Sequence, residues 1–289
     1  MNRVKLSLLC GIPGSGKTTY AEKYIESHPG TVHLSSDKIR KELWGDEATQ
    51  GDNNEVFYRM QRRAIDGLNF GYSVIYDATN VTRKDRAGII AACPKFVQIE
   101  CHVVWAPIET CIERDAARKR TVGKAVIDKM LKRFQPPYYD EGIHEIKIAL
   151  PDGFIGNDYE NKCMENMDIP HDNPHHTLNV LNHSMAAVQY AIDKQTPMDV
   201  KIAALYHDIG KPYVKAFVDS KGNECETAHY YQHHCVGAWM AYGLEVDLFV
   251  VWLIGAHMEP FGNTKYYNKL PSYLKTPLDQ LHECDLNAH

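Results

Sequence analysis

Residues 11–19 read GIPGSGKTT, and this run constrains the fold more than any other. It fits G-x-x-x-x-G-K-[ST] through Gly11, Gly16, Lys17 and Thr18, and it lies between the strand-like VKLSLLC and a helical segment starting at Lys17. Cradling a phosphate with backbone N–H groups needs a strand that stops, a glycine turn and a helix N-terminus, in that order. Gly11, Gly14, Ser15, Gly16, Lys17, Thr18 and Thr19 are therefore the expected binding residues for ATP or another nucleoside triphosphate. Lys17 bridges the terminal phosphates and Thr18 ligates Mg²⁺.

The segments that follow alternate. TVHLS, YSVIYDAT, FVQIECHVVWA and HEIKIAL read as strands, while DKIRKELW, NEVFYRMQRRAIDGLNF, RKDRAGIIAA and PIETCIERDAARKR read as helices. Such alternation predicts a parallel sheet with flanking helices. After PDGFIGNDYENK the pattern changes, and from about residue 175 it reads as helices, with a loop or small hairpin around SKGN. Two domains are expected, an α/β domain over 1–155 and an all-α domain over 156–289. Charge divides the same way: through residue 150 there are 23 Lys and Arg against 19 Asp and Glu, and beyond it 9 against 18. Residues 114–133 hold eight basic groups against two acidic ones, a candidate substrate-facing segment. The eight cysteines form no CxxC pair and read as reduced, buried thiols. With no apolar run of membrane-spanning length and no signal peptide, a cytoplasmic protein is expected.

A phosphate-cradling loop does not name the acceptor. Asp37 follows the second strand, where a carboxylate faces the ligand crevice and can take a hydroxyl proton, although it equally suits a helix N-cap. Arg40, at i+3, shares its face and suits an acceptor phosphate. The ordered run GIPGSGKTT, SSDKIRKELWG, VIYDATNVTRKDR and RDAARKR…VIDKMLKRFQPP resembles the P-loop kinase family that includes 5′-hydroxyl polynucleotide kinases. That resemblance implies that Asp37 is the general base, that Arg40 contacts the acceptor strand, and that Asp77 lies near Mg²⁺ and the acceptor. It also implies a lid arginine that stabilises the transferring phosphoryl group; Arg114 and Arg118 have the R-x-x-x-R spacing, Arg120 is close behind, and the family pattern favours Arg118.

In the second half, ALYHDIGKP places His207 and Asp208 where an apolar helix ends. Neighbouring side chains on a helix diverge by about 100°, so both reach one ion only near the helix end, with other ligands arriving from distant segments. His183, on the apolar face of Val180, Ala187 and Ala191, and Asp285 in the last helix are candidates. With NPHHTLNVLNHSM, YYQHHCVGA, LIGAH and ECDLNA in order, this half resembles the HD phosphohydrolase superfamily and its H…HD…D ligand set. His233 and His257 match the further ligands of members holding two metals. The set suits one or two ions among Mn, Fe, Co, Ni and Zn. Lys211 is a candidate for holding substrate phosphate; His175 and His176 receive no role.

Together these features predict a bifunctional end-healing enzyme acting on RNA or DNA, with ATP-dependent 5′ phosphorylation and metal-dependent 2′,3′-cyclic phosphodiesterase and 3′-phosphatase activity, working before a separate ligase. The alternative is a nucleoside or nucleotide kinase joined to an HD nucleotidase. A third reading makes the helical half a sensor with a structural metal.

Overall fold

The structure, a computed structural model, describes residues 3–46, 51–174 and 177–288. It divides into two compact units, residues 1–130 with 137–152 and residues 131–136 with 153–289. Residues 131–136, which fall in the first half by sequence, thus cluster with the second unit. His175 and His176 lie outside the described residues.

The first unit runs β1 (Lys5–Cys10), α1 (Lys17–Ser27), β2 (Val32–Ser35), α2 (Ser36–Trp44), α3 (Asn53–Asn69), β3 (Val74–Asp77), α4 (Arg83–Ala92), β4 (Gln98–Val104), α5 (Ile108–Ala116), α6 (Lys124–Leu131) and β5 (Glu145–Ala149). The strands form one parallel sheet in the order β2-β3-β1-β4-β5. β1, β3 and β4 are buried along nearly their whole length, as strands covered on both faces must be. From β1 the chain builds to one side and then crosses to the other, so the turn after β1 opens at a switch point, where ligands bind.

The long basic helix expected through Arg120 is a correction. α5 stops at Ala116, and the chain then folds back so that the Asp115 carboxylate accepts the backbone N–H groups of Val122 and Gly123 at about 3 Å. Arg118 and Arg120 therefore sit in the loop that follows.

The second unit contains α7 (Gly156–Met167), α8 (Val180–Asp193), α9 (Met198–Tyr206), α10 (Lys211–Val214), the antiparallel pair β6 (Ala216–Val218) and β7 (Glu224–His229), α11 (His233–Ala241), α12 (Leu248–Ala256), α13 (Glu259–Gly262) and α14 (Ser272–Leu286). α7 belongs to this unit although its residues read as a transition. Its apolar face consists of Tyr159, Cys163 and Met167, at helical spacing. α11 and α12 are buried nearly all round, which marks them as the centre of the helical layer. Phe134, from the crossing segment, sits edge-to-face with Trp239 at 5.2 Å.

Candidate functional site

The phosphate loop is built as its spacing requires. Gly14 has φ +82°, and a Cβ there would stand 2.1 Å from the Cys111 carbonyl oxygen, so only glycine fits. The loop is tied down by Gly11 N–H donating to Thr79 O at 2.9 Å and by Lys17 Nζ donating to Ile12 O at 2.8 Å. Among the described residues, Ser15 Oγ is buried without a hydrogen-bond partner. Burial pulls the Lys17 ammonium below its ordinary value, opposed by the Asp77 carboxylate. Asp77 itself is buried at the end of β3 beside His33 Nε2, at 3.2 Å. A cavity of about 940 Å³ opens from Gly14, Ser15, Gly16 and Thr19 toward Arg114, Arg118 and Lys147.

The three basic lid candidates separate here. Arg114 and Arg118 line that cavity, whereas Arg120 Nη1 lies 3.7 Å from Asp37 Oδ1. Asp37 also accepts from Arg40 Nη1 at 2.9 Å, and Arg40 Nη2 donates to Asn53 Oδ1 at 3.1 Å. The N-cap position of α2 is Ser35, and Asp37 lies within the first helical turn rather than at the cap. Asp37, Arg40 and Asp77 do not line the 940 Å³ cavity. Thr18 and Thr19 are exposed in the first turn of α1.

In the second unit all six candidate ligands converge. His183 Nε2 is 2.9 Å from Asp285 Oδ1 and 3.7 Å from Asp208 Oδ2; His207 Nε2 is 3.3 Å from Asp208 Oδ2 and 3.4 Å from Asp285 Oδ1. The other Asp208 oxygen lies 3.3 Å from His233 Nε2, which is 3.0 Å from His257 Nε2. Two groups able to hold a metal ion, His183–His207–Asp208 and Asp208–His233–His257, thus share one carboxylate. Gly210 permits this meeting: a Cβ on it would stand 2.2 Å from the His233 carbonyl oxygen.

The imidazoles are oriented for ligation. Nδ1 of His183, His207, His233 and His257 faces the carbonyl oxygens of Ala288, Ala204, Tyr230 and Ile254 at 2.8–3.0 Å. A carbonyl only accepts, so each Nδ1 carries a proton and each Nε2 is the nitrogen left to face the cluster. Burial lowers His207, but the Asp208 and Asp285 carboxylates together outweigh it and push the ring up to about 10. His257 is held well below its ordinary value by burial and by its neighbouring rings. This set of imidazole nitrogens and carboxylate oxygens fits divalent transition ions.

Lys211 is buried, its Nζ 2.6 Å from Asp208 Oδ2 and 3.2 Å from His171 Nε2, over the ring of Tyr230. His171 was not anticipated. Burial brings it down to about 4, so it is the neutral acceptor for Lys211, while its Nδ1 donates to Leu178 O at 2.7 Å. Its only trace in the sequence is an isolated histidine in a polar loop, which no periodicity marks.

An α/β unit with a glycine loop of phosphate-cradling geometry, followed by a helical unit that gathers four imidazoles and two carboxylates, defines the class of this two-unit protein. The particular families follow: residues 6–137 match the model described as AAA domain and residues 175–284 match the HD domain, so the chain joins a kinase-like P-loop domain to an HD domain. Over 158 residues it is 27% identical to transcription factor bHLH140 of Arabidopsis thaliana, covering 52% of this chain and 16% of that protein. A chain of the Pnkp1/Rnl/Hen1 RNA repair complex aligns with a TM-score of 0.41 at 24% identity, over 46% of this chain and 44% of that one. A fungal RNA kinase aligns with a TM-score of 0.40 at 14% identity, over 56% and 42%. The chain thus spans about one sixth of the curated relative and less than half of these two structures. Among the described residues, no helix is long and apolar enough to cross a membrane.

Proposed function

We propose that the chain heals nucleic-acid ends that a ligase cannot seal. The first unit phosphorylates a 5′-hydroxyl from ATP or another nucleoside triphosphate; the second opens a 2′,3′-cyclic phosphate and removes the resulting monoester. The observation that carries the polynucleotide acceptor is the Asp37–Arg40 pair, with Arg120 beside it. A carboxylate flanked by guanidinium groups suits an acceptor bringing its own phosphate, which a strand end does and a free nucleoside does not.

In the kinase step the 5′-oxygen bonds to the terminal phosphorus of the donor as the bond to the leaving diphosphate breaks, and Asp37 takes the hydroxyl proton. Lys17, Arg118 and Arg114 oppose the charge on the phosphoryl oxygens. Thr18 would hold Mg²⁺, with Asp77 nearby, and such an ion would supply charge neutralisation of the donor phosphates.

In the second unit His183, His207, Asp208 and Asp285 would hold one divalent ion and Asp208, His233 and His257 a second, from among Mn, Fe, Co, Ni and Zn. Such ions, when bound, polarise a phosphoester and lower the pKa of water. Lys211 holds a phosphate oxygen, its ammonium aimed by Asp208 and by the neutral His171. The two reactions are compatible because they act on opposite ends of a strand, which a separate ligase then joins.

The test is an RNA oligonucleotide with a 5′-hydroxyl and a 2′,3′-cyclic phosphate, incubated with ATP, Mg²⁺ and Mn²⁺ and read by mass spectrometry. Gain of a 5′ phosphate with opening or loss of the cyclic phosphate is expected. An untouched oligonucleotide, with free nucleosides or nucleotides phosphorylated in parallel reactions, would replace this reading with a nucleotide-metabolising pair of activities.

A further inference from the structure

The cavity above the second unit's metal centre has a wall that the proposed reaction leaves unused. Its volume is about 880 Å³; its lining includes His183, Asp208, His233 and Asp285, and also Tyr231 and Phe261. His183, Asp208 and His233 are buried, but these two aromatic residues are 42% and 47% exposed, which places them at the cavity's opening. Each ring is braced. Tyr231 stacks on His229 with centroids 5.2 Å apart and planes 4° from parallel, and Phe261 stands edge-to-face with His282 at 4.2 Å and 88°.

Two braced rings open to solvent, at the mouth of a cavity that ends on Lys211 and a cluster of metal-ligating side chains, match one ligand chemistry. That ligand is a flat heteroaromatic ring joined through a sugar to a phosphate. Its base gains from stacking on a face already held in place, with little side-chain freedom left to lose. The phosphate meets the Lys211 cation and the ligand cluster. We propose that Tyr231 and Phe261 form a stacking platform for the base next to the scissile phosphate, so that this cavity selects nucleoside phosphoesters over simple alkyl phosphates. The inference rests on the phosphoesterase reading and names the substrate class for that site.

The experiment uses the full chain with Mn²⁺ and compares a nucleoside 2′,3′-cyclic phosphate, a nucleoside 3′-monophosphate and glycerol phosphate. Tyr231→Leu and Phe261→Leu keep apolar bulk and remove the ring, while Phe261→Tyr keeps a ring. Loss of one stacked base corresponds to roughly a tenfold to hundredfold fall in kcat/KM. That fall is expected on both nucleoside esters, chiefly through KM, with glycerol phosphate hydrolysis unchanged and Phe261→Tyr near wild type. Equal losses on all three substrates, or none, would overturn the platform. If wild type hydrolyses none of them, calorimetric binding of the nucleoside 3′-monophosphate against inorganic phosphate separates the two ideas. Nucleotide affinity that falls only in the Leu variants keeps the platform and removes the phosphoesterase reading; affinity indifferent to the variants removes the platform as well.

Discussion

Arg86 gives the sharpest test of how the phosphate loop is supported. It is fully buried on α4, and its Nε and Nη2 donate to the two Glu141 carboxylate oxygens, both at 2.7 Å. The remaining nitrogen, Nη1, donates to Asn80 O at 2.9 Å. Asn80 in turn donates through Nδ2 to Leu9 O at 2.7 Å, and the adjoining Thr79 carbonyl receives Gly11 N–H. Arg86 thus buttresses the segment against which the loop is fastened. Arg86→Met keeps the stem and removes the fork. Breaking a buried pair costs about 3–5 kcal/mol, because the surviving charge is left uncompensated. Arg83 Nη1 still approaches Glu141 at 3.6 Å, so the lower end, about 3 kcal/mol, applies here. For a unit of this size that lowers the unfolding midpoint by roughly 6–12 °C. The assay is hydrogen exchange of peptides from β1, β3 and β4, combined with thermal unfolding. Because the pair is shielded from solvent, the loss persists when salt is raised to about 0.5 M. Glu141→Gln closes a double-mutant cycle, with an expected coupling above about 1.5 kcal/mol. A cost under about 1 kcal/mol for Arg86→Met, or additive single effects, would refute the reasoning.

Other outcomes follow from the same geometry. Lys17→Met lowers phosphoryl transfer by about a hundredfold or more while leaving phosphoesterase turnover intact, since it removes charge stabilisation at one site only; parallel end assays check both. His257→Ala removes a ligand from the Asp208–His233–His257 group, so metal titration after chelation should show one fewer tightly held ion than wild type, with Lys17-dependent transfer unchanged. Glu100 is buried, which alone would raise it, but hydrogen bonds from His102, Lys5 and Lys147 hold it well below the usual carboxylate range. Its folded pKa being depressed, its contribution is present above the unfolded value of about 4.3 and is lost as pH falls below it toward the folded value. Denaturant unfolding across that acid range should therefore show a shallower decline for Glu100→Gln than for wild type.

The parallel sheet and the helical second half were legible because their signals are periodic, strand runs of apolar residues and helices with one buried face. The hidden parts depend on single side chains acting over distance. Nothing local in PIETCIERDAARKR says that α5 ends at Ala116 and that the chain beyond it folds back to donate two amides to the Asp115 carboxylate. In that folded-back arrangement Arg114 and Arg118 line the cavity beside the glycine loop while Arg120 reaches Asp37. In the same way His171 carries no motif, yet tertiary packing brings it to Lys211 across 40 residues of chain.

The convergence of the candidate ligands was more legible than the loop after α5 for a reason rooted in helix ends. His207 and His257 each close a helix, and their Nδ1 atoms reach the carbonyls of Ala204 and Ile254 three residues back, in the last turn. Those carbonyls have no intrahelical partner. Capping them fixes the Nδ1–H tautomer and points Nε2 away along the helix, so one local contact satisfies the backbone and aims a ligand. The sequence signature is an apolar helix that stops at histidine, as in ALYHD and LIGAH. His233 reaches the same outcome from the opposite end, its Nδ1 on Tyr230 O in the turn that starts α11. A helix end thus supplies the orientation that a mid-helix histidine needs tertiary help to obtain. His183 is such a case: it sits within α8 and depends on the distant Ala288 carbonyl, 105 residues away.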